Sequence, residues 1–261
     1  MMAPRCYVEE SVVKRLWQIC LVICGLAGGP AMATELKVAV AANFHPLFEQ
    51  IAEGFERDSG IRVRVSSGAS GALFTQIVHG APFDLFLSAD RDRPQRLEQL
   101  DLILPDSRVT YAVGVLAFWC RNAPATELEL RQWHSRLAIA NARTAPYGAA
   151  AEAVIERLAL GPALQGKLLR GNSVVQAFQY VDSGNVNGGL VALSLLKARG
   201  VDASQYWPVP PQWHGSLEQQ AVILKRTAHP QAARALLDYL LQQHALLTRS
   251  GYSLAPSLAQ L

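Results

Sequence analysis

Between Ser66 and Gln76 the chain carries no lysine and no arginine, although this stretch, "SSGASGALFTQ", reads as the joint between a strand and a helix. Joints of that kind often hold an anion. The missing cations exclude a pocket that works there by direct ion pairing. Basic charge is sparse elsewhere too. The 24 basic and 21 acidic side chains leave a formal net charge of +3, and no basic block or stripe stands out, which argues against a nucleic-acid partner. Cysteine is also scarce. Cys6, Cys20 and Cys24 fall in an N-terminal targeting segment, and Cys120 alone forms no internal disulfide. It sits in the apolar run "VGVLAFWC" and reads as a buried small hydrophobe rather than a nucleophile. The six histidines, at 45, 79, 134, 214, 229 and 244, have no ligand spacing and no cysteine partners, so no metal site is expected. No internal repeat or low-complexity segment is present.

What is there begins with a targeting signal. Arg5, Lys14 and Arg15 form a basic start, "LWQICLVICGLAGGP" a short apolar run, and Ala31–Ala33 a small-x-small cleavage pattern. The mature chain is expected to start at Thr34, in the periplasm, after a signal peptide over 1–33. No later segment is long and apolar enough to span a membrane. With 261 residues, 50% of them hydrophobic, the chain can build one large domain or two lobes with their own cores.

From Thr34 onward a strand–turn–helix pattern repeats. "ELKVAVAA" reads as a strand and "LFEQIAEGFERDSG" as a helix, with Pro46 in its first turn and Gly60 as its stop. "IRVRVS" and "FDLFLSA" are further strands, the latter apolar on both faces as in a covered parallel sheet. "VTYAVGVLAFWC", Val109 to Cys120, is a long strand-like run that interrupts the alternation. A second βα group follows, then an irregular segment "YWPVPPQWHGSLEQQ", a last strand "AVILKR" and one C-terminal helix. The expected class is α/β: two lobes, each a mostly parallel sheet flanked by helices, joined by two crossing strands. Lobe I is expected over 34–111 and 217–261, and lobe II over 112–216.

Four strand-to-helix joints share small or polar residues: "AANFHP" (Ala41–Pro46), "SSGASGA" (Ser66–Ala72), "ANARTAPYGAAA" (Ala140–Ala151) and "GNSVVQA" (Gly171–Ala177). The first turn of a helix has unpaired N–H groups and the positive end of the macrodipole. In parallel α/β sheets such joints lie at the carboxyl ends of the strands, where ligands bind. If the lobes face one another, the four joints line one cleft. That cleft suits a small, fully ionised oxyanion, because neutral N–H and O–H donors spare the cost of burying a cation. The simpler alternative is that Ser and Asn at these joints only cap their own helices.

The runs "VAVAANF", "SSGASGALFTQIVHGAPFDLFLSAD" (Ser66–Asp90), "PYGAAAEAVIERLALG" and "GNSVVQAFQYVDSG", with the late "GY", resemble the periplasmic molybdate-binding proteins of ABC transporters. Gly80 to Asp90 is the most specific part, and the likeness covers nearly all of the mature chain. The resemblance implies a type II periplasmic binding protein fold and no enzyme activity or cofactor. It implies molybdate or tungstate as ligand, and a membrane permease of an ABC transporter as partner. The expected assembly is a monomer. By position, the resemblance assigns the oxyanion to Ala42, Asn43, Ser70, Tyr147 and Val174. Asn43 would donate from backbone and side-chain amide, Ser70 from N–H and hydroxyl, and Ala42, Tyr147 and Val174 from N–H. Some family members have Ser at the place of Asn43. Others supply a Tyr hydroxyl where this chain has Ala192, so that donor is absent here. Asp84 is expected as a structural hydrogen-bonder and Asp90 as a helix cap, since a carboxylate facing an oxyanion repels it.

Two other readings stand beside this one. The same fold with another oxyanion or a small organic acid would call on Arg143, near the third joint, for a carboxylate. A serine hydrolase would use Ser70 in "GASGA", a near match to a nucleophile elbow whose last Gly is Ala72, with Asp202 and His229 following in order.

Overall fold

The computed structural model describes residues 34–254; the expected signal peptide at 1–33 lies outside the described residues. Two five-stranded sheets divide the chain. The first joins β1 (Glu35–Ala41), β2 (Arg62–Gly68), β3 (Leu85–Leu87), β4 (Val109–Gly114) and β10 (Leu217–Ile223) in the order β2-β1-β3-β10-β4. The second joins β5 (Leu116–Cys120), β6 (Leu137–Ala140), β7 (Leu168–Gly171), β8 (Gly188–Ala192) and β9 (Tyr206–Pro208) in the order β7-β6-β8-β5-β9. β1 pairs parallel with β2 and β3, and β6 with β7 and β8. β10 and β5 each run antiparallel to both of their neighbours. Each sheet is therefore mostly parallel, with one reversed strand in the same relative place.

The helices cover these sheets by their apolar faces. In α1 (His45–Ser59) Leu47, Phe48, Ile51 and Phe55 are buried, a spacing that places them on one side of the helix. Gly60 ends that helix at φ 72°, a left-handed cap that glycine adopts without steric cost. α2 (Ser70–Val78) and α3 (Asp92–Gln99) complete the first group; α4 (Glu127–Arg131), α5 (Pro146–Arg157), α6 (Val174–Asp182) and α7 (Leu193–Arg199) accompany the second sheet. α8 (Pro230–Leu241) returns to the first, where Leu236, Leu237 and Leu240 pack with Leu36 and Val38. Ala41, Ala69 and Ala89, from strand ends of the first sheet, belong to the same apolar cluster as the core of the second. The two halves thus meet through small residues at the carboxyl ends of their strands.

Several elements differ from the sequence reading. Val109–Cys120 is not one strand: β4 ends at Gly114 and β5 begins at Leu116, in the other sheet. Hydropathy is continuous there because both strands are buried, so periodicity carries no mark of the crossing. The last strand starts at Leu217 rather than Ala221, and the irregular segment contains β9. Gln219 and Gln220 disguise the strand because they are polar yet buried. The C-terminal helix is two, α8 and α9 (His244–Arg249). Cys120 is buried and free, and burial raises its thiol pKa.

Asp84 ties the first sheet together, as its expected structural role requires. Its carboxylate accepts from the Lys37 N–H at 2.7 Å and from Thr227 Oγ1 at 2.6 Å. Its own N–H donates to Lys37 C=O, and its C=O accepts from Leu224 N–H. β1, β3 and the end of β10 are pinned at one residue. Asp84→Ala removes both carboxylate bonds and is expected to lower stability by about 1–3 kcal/mol, measured as a shift of the urea midpoint at unchanged m-value.

Candidate functional site

At the first joint the β-ladder runs one residue beyond β1. The Ala42 N–H donates to Gly68 C=O at 2.9 Å. This corrects the expectation for Ala42, whose N–H is spent within the sheet. The Asn43 N–H makes no hydrogen bond among the described residues. Its side chain is engaged: Nδ2 donates to Gln219 Oε1 at 3.1 Å and to Tyr252 Oη at 3.2 Å. Both amide hydrogens are thereby used, so the side chain positions the residue instead of offering a further donor. The Asn43 C=O accepts from Tyr252 Oη at 2.9 Å and Ser194 Oγ at 3.3 Å. Its peptide is held from several sides.

At the second joint Ser70 is the first residue of α2, and its N–H is unpaired among the described residues. The hydroxyl accepts from Ala89 N–H at 2.9 Å, which directs its own proton away from that bond. At the third, Pro146 opens α5 and Tyr147 follows with an unpaired N–H; at the fourth, Val174 opens α6 in the same condition. Side-chain capping does not explain the pattern. No side chain caps the helices at the first three joints. Only Ser173 does so, its hydroxyl accepting from Gln176 N–H, and that leaves Val174 N–H untouched.

Hydrogen bonds connect the four joints to one another. Ala42 to Gly68 links the first to the second. Gly71 N–H donates to Thr144 C=O at 2.9 Å, linking the second to the third across the two sheets. A Cβ at Gly71 would lie 2.9 Å from that carbonyl, so the close approach requires glycine. Asn141 N–H donates to Gly171 C=O at 2.8 Å, linking the third to the fourth. Gln219 Nε2 donates to Tyr147 Oη at 3.2 Å, so Gln219 links the first joint to the third. Asn43, Ser70, Tyr147 and Val174 are only 2%, 1%, 1% and 3% exposed. A groove of ≈ 500 Å³ beside them is lined from both sheets, by Ala42, Ser67, Gly68, Ser173, Val175 and Phe178 among others.

The four joints present neutral N–H donors, while His45, Asp182 and Arg199 also line the groove beside them. Arg93 pairs with Asp90, which also accepts from the Arg93 N–H at 3.2 Å, and the same guanidinium donates to Arg143 C=O at 3.3 Å, so this cation bridges towards the third joint. Arg143 is exposed; its N–H donates to Asn141 Oδ1 at 3.0 Å and its C=O accepts from Arg93. Tyr111, Tyr147 and Tyr252 are buried, and burial above all pushes their phenol pKa values up, Tyr252 adding to the rise at the other two. They stay neutral. Among the described residues no hydrogen bond joins Ser70 to Asp202 or His229: the Ser70 hydroxyl accepts from Ala89 N–H, Asp202 accepts from Ser204, and His229, just before α8, donates its N–H to Thr227 Oγ1. Among the described residues no cluster of His, Cys, Asp or Glu forms a metal site.

Sequence reasoning missed Gln219, Tyr252, Tyr111 and Ser194. A pair of glutamines before an apolar run was the visible signal for Gln219, and the late "GY" contained Tyr252; Tyr111 and Ser194 look like ordinary strand and helix residues.

The raised phenol pKa values make a stability statement. The folded chain keeps these protons at a pH where the unfolded chain, with phenols near pKa ~10, has lost them. Their contribution is complete below about pH 10 and falls as pH rises through the higher folded values. Urea midpoints should decline from about pH 10 upward, and Tyr252→Phe should make the decline shallower.

A model of bacterial extracellular solute-binding proteins matches residues 36–253. The molybdate-binding protein ModA of Azotobacter vinelandii is 41% identical over 221 residues, 83% of this chain and 88% of the relative. That of Rhodobacter capsulatus is 38% identical over 228 residues, 85% and 90% of the two chains. The solved periplasmic molybdate-binding protein of Azotobacter vinelandii superposes with a TM-score of 0.79 at 34% identity, covering 84% of this chain and 99% of that one. These relatives are binding proteins, and their two-lobed fold is the arrangement of sheets described above. The chain belongs to the bacterial extracellular solute-binding proteins, within the group that contains these molybdate-binding proteins.

Proposed function

We propose that the chain binds molybdate, and tungstate with it, between its two halves and delivers the anion to the permease of an ABC transporter. One observation carries the reading: four buried N–H groups, at Asn43, Ser70, Tyr147 and Val174, have no acceptor among the described residues and come from joints that hydrogen bonds draw together. The Ser70 hydroxyl adds a fifth donor. Ala42 forms part of the wall. With lobe I over 34–111 and 217–261 and lobe II over 112–216, each supplies two of the N–H donors, and an anion bridging them favours the closed state. In this reading the mature chain starts at Thr34 and works in the periplasm as a monomer.

Donors alone suit a dianion that is fully deprotonated at neutral pH. Phosphate keeps a proton, and a site without an acceptor leaves that proton unpaired. An organic acid would call on a guanidinium for its carboxylate, and none of Ser70, Tyr147 and Val174 supplies one. Sulfate is the nearest competitor, and it is smaller.

Calorimetry on residues 34–261 tests the reading. Molybdate and tungstate should bind 1:1, while phosphate gives no heat at the same concentrations. Ser70→Ala should weaken molybdate binding about 10- to 100-fold, the value of a hydrogen bond to a charged partner. No heat and no thermal stabilisation with molybdate would overturn both site and function.

A further inference from the structure

Gln219 makes no contact with any proposed donor N–H, yet it holds two of the residues that carry them. It comes from β10, the strand that returns to the first sheet, and is 0% exposed. Its Oε1 accepts from Asn43 Nδ2 at 3.1 Å and from Tyr111 Oη at 3.0 Å. Its Nε2 donates to Tyr147 Oη at 3.2 Å. The orientation of the amide follows, since Asn43 Nδ2 only donates and must face the oxygen.

Two backbone features make room for this arrangement. The pairing of β10 with β4 shifts register between Gln219 and Gln220, the kind of irregularity that re-aims a side chain. On β4, Gly114 pairs with Leu217, two residues before Gln219, and a Cβ there would sit 2.3 Å from Tyr147 Oη and 2.6 Å from Gln219 Nε2. The meeting of Gln219 with Tyr147 depends on the absence of a side chain there.

Asn43 and Tyr147 stand on opposite halves of the molecule, and one buried amide spans them. With Asn43 C=O also held by Tyr252 and Ser194, shortening or freeing that span moves one donor set against the other. We propose that Gln219 is a positioning residue that sets the separation of the donors on the two lobes, and so selects the larger tetrahedral oxyanions over sulfate. This rests on the oxyanion reading above.

The test measures molybdate and sulfate dissociation constants, the latter by competition where weak, for the wild type, Gln219→Met, Tyr147→Phe and the double variant. Methionine keeps the length and removes the bonds; phenylalanine removes the hydroxyl and keeps the backbone N–H. The molybdate-to-sulfate affinity ratio should fall about tenfold or more in each single variant. The double variant should lose little more than the worse single one, because both break the same bond. Equal losses for both anions, an unchanged ratio, or fully additive effects would overturn the proposal and leave Gln219 a core residue. If Gln219→Met fails to fold, the ratio in Tyr147→Phe decides alone. A wild type that binds neither anion sinks the oxyanion reading instead.

Discussion

A backbone N–H buried without an acceptor costs on the order of 1–3 kcal/mol, and four buried residues at linked joints, Asn43, Ser70, Tyr147 and Val174, have N–H groups with no acceptor among the described residues. The rest of the architecture can be understood from that constraint. Such groups are tolerable only where rigid neighbours prevent them from turning elsewhere, or where a ligand meets them. The first turns of helices are suited to this because their N–H groups have no partner within the helix. Packing those helices on parallel strands fixes the direction of each bond.

Neutrality is the second consequence. A lysine or arginine in the same place would bring Coulombic attraction, but also a desolvation cost of several kcal/mol and indifference to the shape of the anion. Aligned N–H groups supply partial positive charge without that cost and are directional. The surrounding phenols and amides are uncharged as well. They serve as braces: Tyr252, Ser194 and Gln219 hold Asn43, and Ala89 orients the Ser70 hydroxyl.

The two halves repeat one strand order, and the reversed strand in each borders the passage between them. Gln219 lies on that reversed strand in the first half. It reaches Asn43 across 176 positions of chain and Tyr147 across 72, so the coupling of the halves is made by the fold and not by sequence neighbours.

Much of this was legible in the chain. The four joints were legible because strand-then-helix patterns meet there in small or polar residues and local sequence governs helix starts; Ser70, Tyr147 and Val174 within them came from the family resemblance. The alternation that fixes the α/β class is equally local. Three things were not legible. Ala42 looked like a donor, but its N–H pairs with Gly68, a residue 26 positions away whose register only the sheet decides. The Asn43 side chain looked free, but its partners lie 176 and 209 positions further on. Gln219 looked like part of a loop, because a buried glutamine is indistinguishable from an exposed one until its neighbours are known. The sequence by itself determined which elements form and that four uncharged helix starts exist. Only the tertiary structure decided which donors are spent and which remain, because a hydrogen bond is settled by the meeting of distant residues and not by the preference of either.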